Sequence, residues 1–91
     1  MLKPRATKQF KKDYKKAKKQ NKNLKKLEDI MAELEAERQM PLKFRDHLLA
    51  GKFEGSRECH IEPDWLLIYR IDKPESEIIF ERTGTHSDLF K

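Results

Sequence analysis

Two hydrophobic rhythms run along this chain, one in each half. Beginning at Thr7, a residue able to cap a helix, Phe10, Tyr14 and Ala17 recur at i, i+4 and i+7 among lysines. That spacing predicts a helix with one inward stripe and a cationic remainder. The polar stretch QNKN at 20–23 interrupts the pattern, and Asn23 is placed to cap a second helix. In it Leu24, Leu27, Met31 and Leu34 follow at spacings of 3, 4 and 3, Ile30 widens the stripe, and acids from Glu28 to Glu37 fill the outer face. Pro41 is the expected stop, because the residue before a proline is pushed out of the α region. The two segments make a helical hairpin.

The period then changes. Residues 42–56 carry two glycines and no sustained repeat, which reads as a loop leading into a strand. SRECHI at 56–61 alternates, with Arg57, Cys59 and Ile61 on one face and Glu58, His60 and Glu62 on the other. EPD at 62–64 is a turn, WLLIYRI at 65–71 a central strand apolar on both faces, DKPES at 72–76 a second turn and EIIFERT at 77–83 another strand. Such short gaps favour antiparallel neighbours. LKPRAT near the N-terminus suits an edge strand, where Pro4 does least harm. The predicted architecture is one α+β domain over residues 1–91: an N-terminal edge strand and a helical hairpin on a small, mainly antiparallel sheet of three or four strands.

Composition restricts what this architecture can do. With 36% hydrophobic and 41% charged residues, the core must be concentrated in a few segments. One cysteine leaves no internal disulfide framework and fits a reducing, cytoplasmic location. No apolar stretch approaches the roughly 20 residues that span a bilayer, and the first residues lack the apolar run of a secretory signal. The net charge of +5 conceals an asymmetry: residues 1–26 hold 12 Lys/Arg against one acid, Asp13, whereas residues 27–91 hold 9 against 15 acids. A basic block of that density attracts a polyanion, RNA or DNA first. The alternative is a solvated helix face that keeps a small protein in solution.

Candidate chemistry crowds into RECHIEPDWLLIY at 57–69. A metal site is poorly served there: Cys59 and His60 are strand neighbours that point to opposite faces, and no second cysteine exists. Cys59 fits the packed face as a small apolar residue. Trp65 and Tyr69 fit the core of the following strand. His60 lies on the other face with Asp64 just past the strand end, His47 precedes the sheet and His86 follows it. A lone surface histidine is usually inert, but three at loop or strand-end positions can converge in one cleft. Imidazoles, a carboxylate, an arginine and a terminal aromatic on a basic protein suit metal-free RNA cleavage. RNA carries its own nucleophile, the 2′-hydroxyl, so the protein need supply only a base, an acid and charge stabilisation.

DHLLAGKFEGSRECHIEPDWLLIY followed by FERTGTHSDLF resembles the YafQ branch of the RelE-type toxins of bacterial toxin–antitoxin systems. The resemblance covers residues 42–90 closely, through D-H-x-L-x-G, H-x-E-P-D-W and T-G-T-H-x-x-L-F in that order, and the basic hairpin before them fits the family's layout. It implies a RelE-like α+β ribonuclease, without cofactor, that cuts messenger RNA in the ribosomal A site. A cognate, DinJ-like antitoxin would silence it, with operator DNA bound only by the pair. The family's motif histidines fall on His47, His60 and His86, its acid on Asp64, its arginine near the scissile phosphate on Arg82 and its terminal aromatic on Phe90.

Roles follow as expectations. His60 with Asp64 deprotonates the 2′-hydroxyl, and His86 protonates the leaving 5′-oxygen. Arg82 stabilises the phosphorane charge, Phe90 stacks on a base, and His47 positions the backbone or assists proton transfer. Lys11, Lys12, Lys15, Lys18 and Lys19 are assigned to ribosomal RNA. His86 and Phe90 are expected to fray unless Leu89 anchors them. Two other classes remain open: a non-catalytic RNA- or ribosome-binding module, and a purely protein-binding partner such as an inhibitor subunit.

Overall fold

The computed structural model describes residues 1–90. Along the chain run β1 (Lys3–Ala6), α1 (Lys8–Lys19), α2 (Leu24–Glu35), β2 (His47–Leu48), β3 (Arg57–Glu62), β4 (Trp65–Asp72), β5 (Glu77–Gly84) and α3 (His86–Leu89). Both helix caps form as the sequence suggests. Thr7 accepts from the Phe10 amide at 2.9 Å, and Asn23 accepts from the Lys26 amide at 3.4 Å. The helix ends are set by left-handed residues. Asn21 (φ 58°) closes α1, and Glu37 (φ 59°) closes α2. Behind Glu37 the Arg38 amide reaches back to the Glu33 carbonyl at 3.1 Å. The helix therefore stops at Glu35, ahead of Pro41, because this backward bond terminates it before proline has any influence.

The sheet has five strands in the order β1-β5-β4-β3-β2, one more than the predicted upper bound. The additional strand is β2, two residues inside the segment read as a loop. It is too short for alternation to reveal. Tertiary contacts hold it: Asp46, just ahead, accepts from Arg57 Nε at 2.7 Å and from the Tyr69 hydroxyl. β1 runs parallel to β5, and every other pairing is antiparallel.

The hairpin covers one sheet face. Phe10, Ala17, Leu27 and Ile30 meet Cys59, Trp65, Leu67, Tyr69 and Phe80 there, all buried. Each large apolar side chain so buried contributes roughly 1.5–3 kcal/mol relative to exposure. Trp65 and Tyr69 are core residues as expected, and Trp65 donates to Thr83 Oγ1 at 3.0 Å. Cys59 is wholly buried, and burial pushes its thiol up far enough to leave it unreactive at neutral pH. The opposite face has a smaller buried cluster of Leu66, Ile68 and Leu89, with Leu49 and Phe53 packed against it. No helix among the described residues is long and apolar enough to cross a membrane.

Candidate active site

Sheet register assembles the site on the face that the hairpin leaves uncovered. Directly paired residues share a face. His47 pairs with Glu58, Glu58 with Ile68, and Ile68 with Arg82, making one row across four strands. The neighbouring row runs His60, Leu66, Gly84. A bulge between Ile68 and Tyr69 in the β4–β5 register puts Arg82, rather than its neighbour Glu81, opposite Ile68. Gly84 then lets α3 fold back over Leu66, since a Cβ there would lie 3.0 Å from Cβ of Asp88. Leu89 is buried beneath α3, so the last turn is anchored as the sequence suggested. Thr85 caps the helix and Asp88 completes a reciprocal capping box.

The three imidazoles form a continuous row. Ring centroids are 6.3 Å apart for His47 and His60, and 5.7 Å apart for His60 and His86. Phe90 extends the row, 6.4 Å from His86, and Phe53 meets Phe90 edge-on at 5.6 Å. His47 Nδ1 faces the Arg45 carbonyl at 2.6 Å and its Nε2 faces Glu58 at 3.1 Å, so both nitrogens are committed to protein oxygens. His60 lies between the other two rings, and its buried Nδ1 has no hydrogen-bond partner among the described residues.

Asp64 was expected to serve His60, and the structure corrects this. Its Oδ1 accepts from the backbone amide of His86 at 2.9 Å and lies 2.6 Å from the same residue's Nδ1. The β3–β4 turn carries Asp64 beyond the strand end, where the first amide of α3 has no helical partner. The bond from that amide, and then the imidazole contact, hold the Asp64 carboxyl below the usual carboxylate range. With Nδ1 donating to a carboxylate, Nε2 is the nitrogen that His86 offers to a ligand.

Arg82 rises on the histidine face but makes no hydrogen bond to a histidine among the described residues. Its Nε and Nη2 are held by Asp13 on α1 at 2.8 and 3.3 Å. Asp13 is buried and also accepts from the Thr83 amide and from Gln9. Sequence reasoning missed this residue, although its being the only acid in the first 26 positions was a usable signal. Glu58 was missed as well; alternation had already placed it on the His60 face. Phe53 lay in an apparent loop and offered no signal. Lys11, Lys12, Lys15, Lys18 and Lys19 are all exposed, and none forms an ion pair among the described residues. Lys16, between them, bonds Asp88 at 3.1 Å and joins the basic helix to α3.

A family model described as "Bacterial toxin of type II toxin-antitoxin system, YafQ" matches residues 2–91. The chain belongs to the YafQ family. The mRNA interferase toxin YafQ of Escherichia coli K12 is 42% identical over 83 residues, spanning 90% of this chain and 88% of that relative. The crystal structure of the E. coli DinJ-YafQ complex contains a similar chain, with TM-score 0.89 and 38% identity over 100% of both chains. A metal-bound toxin from Helicobacter pylori matches with TM-score 0.93 and 40% identity over 99% of this chain and 100% of that one. In this YafQ-family chain, no group of three or more His, Cys, Asp or Glu among the described residues is arranged to hold a metal ion.

Proposed function

We propose that this chain is an mRNA interferase. In this reading it is a ribosome-dependent endoribonuclease that cuts messenger RNA in the A site without a metal, and a DinJ-like antitoxin silences it. The observation that carries the reading is the row of imidazoles ending in a His86 whose Nδ1 is held by Asp64 and whose Nε2 is left for substrate.

The chemistry balances with protein groups alone. His60, the middle ring of the imidazole row, takes the proton of the 2′-hydroxyl. The 2′-oxygen attacks the adjacent phosphorus, and the phosphorus–5′-oxygen bond breaks. His86 enters the step as the imidazolium, with Nδ1–H on Asp64, and gives its Nε2 proton to the leaving 5′-oxygen, so the products are a 2′,3′-cyclic phosphate and a 5′-hydroxyl. Glu58 and the Arg45 carbonyl hold His47 to position the backbone. Arg82 retains Nη1 outside the grip of Asp13 and offers it to the phosphate. Phe90, 44% exposed and braced by Phe53, supplies a stacking surface. The exposed lysines of α1 hold ribosomal RNA.

The test is to map new 5′ ends on messenger RNA incubated with the purified chain, with and without ribosomes and with a chelator present. Codon-phased cuts are expected only with ribosomes, undiminished by chelation. His86→Ala should lower the rate by roughly 10²-fold or more. Cutting by His86→Ala at the unmodified rate would remove His86 from the chemistry. Binding without products would make the chain a non-catalytic RNA-binding module.

A further inference from the structure

Beside the imidazole row lies a cleft that no step of the reaction uses. It occupies about 510 Å³ between α2 and the turn at residues 42–45, and His60 forms part of its wall. That volume falls within the roughly 300–1,000 Å³ of small-ligand sites. Ile30 and Ile61, both buried, and the ring of Phe44 make an apolar lining. The two acids at the cleft are already neutralised. Glu62 is bonded by Lys26 at 3.1 Å and Asp29 by Lys25 at 2.9 Å. Lys43 and Arg45 form no ion pair among the described residues, and Lys43 Nζ stands 5.1 Å over the Phe44 ring.

We propose that this cleft is a nucleobase subsite for the substrate RNA, receiving a base adjacent to the scissile phosphate. The inference rests on the RNA-cleavage reading above and extends it to sequence selection. A flat apolar lining with an aromatic ring accepts a base face. Two uncompensated cations at the rim accept the phosphate that joins this base to the next nucleotide. His60 belongs to both the cleft wall and the imidazole row, so an occupant of the cleft lies next to the reacting site. Phe90 stands at one end of the histidine row and the cleft adjoins its middle ring, so RNA lying along the row meets a base-binding surface at both places.

The test uses the full chain and an RNA oligonucleotide bearing 2′-O-methyl groups throughout, which has no nucleophile and cannot be cut. Titration followed by NMR is expected to move the resonances of Ile30, Phe44, Ile61 and the His60 ring. Phe44→Ala should weaken binding roughly tenfold or more. Lys43→Ala, at an exposed position, should weaken it severalfold and alter the base preference next to the mapped cuts on unmodified RNA. No binding, binding that leaves these resonances in place, or both variants binding as the unmodified chain does would overturn the subsite. An unmodified chain that binds in the cleft yet cuts nothing would instead sink the cleavage reading alone.

Discussion

Asp64 is exposed, yet both of its strong contacts go to one residue, the amide and the Nδ1 of His86. A carboxylate in that position does not need to take a proton. It keeps Nδ1 as the donor and leaves Nε2 facing the substrate, the part played by the aspartate of a serine-protease triad. Asparagine at position 64 keeps the shape and loses the charge. Asp64→Asn is expected to slow RNA cleavage by about tenfold to a hundredfold, less than loss of the histidine itself. A double-mutant cycle identifies the partner. The substitution should add nothing in a His86→Ala background and its full factor in a His60→Ala background. The reverse pattern would return Asp64 to His60, where strand order alone had put it.

α3 is a single turn, too short to be stable by itself. Its position depends on Leu89 beneath it, Asp64 at its first amide, and Asp88, which binds both the Thr85 amide and Lys16. The Thr85 amide and then Lys16 hold the Asp88 carboxyl below the usual range, as the His86 amide and ring do for Asp64. A carboxylate with a depressed folded-state pKa contributes stability that is fully present above its unfolded pKa. That contribution disappears as pH falls through the folded value. Acidification below about pH 4 should therefore release residues 85–90 while the strand core persists. The check is amide exchange or NMR: His86 and Phe90 should lose protection before Leu67 and Ile68. Simultaneous loss in both segments would mean that α3 has no separate electrostatic latch.

Over the whole molecule, charge is sorted by element. The lysines of α1 project to solvent, while Asp13, the one acid among them, is buried against Arg82. The exposed charges are thus a uniform cationic surface joined to the active site through Lys16 and Asp88. Replacing Lys11, Lys12, Lys15, Lys18 and Lys19 with glutamine should weaken ribosome binding. If each lysine meets one phosphate, the logarithmic salt dependence should fall by about 3.5 to 4.5 units. An unchanged slope would mean that these side chains only solvate the helix.

Local chemistry was legible in the chain itself. Helix periodicity and caps located the hairpin, alternation separated Cys59 from His60, and the long apolar run identified β4. Motif order put the histidines, Asp64, Arg82 and Phe90 on a list of site residues. These are properties of neighbours in sequence, where backbone geometry limits the outcome to a few periods. What only the tertiary structure decided is pairing across distance. It determined that β2 exists, that Asp64 meets His86 rather than His60, that a bulge turns Arg82 onto the histidine face, and that Asp13 is there to hold it. Each depends on register and on how strand ends approach one another. A shift of one residue would move every side chain to the other face, and no local pattern encodes that choice.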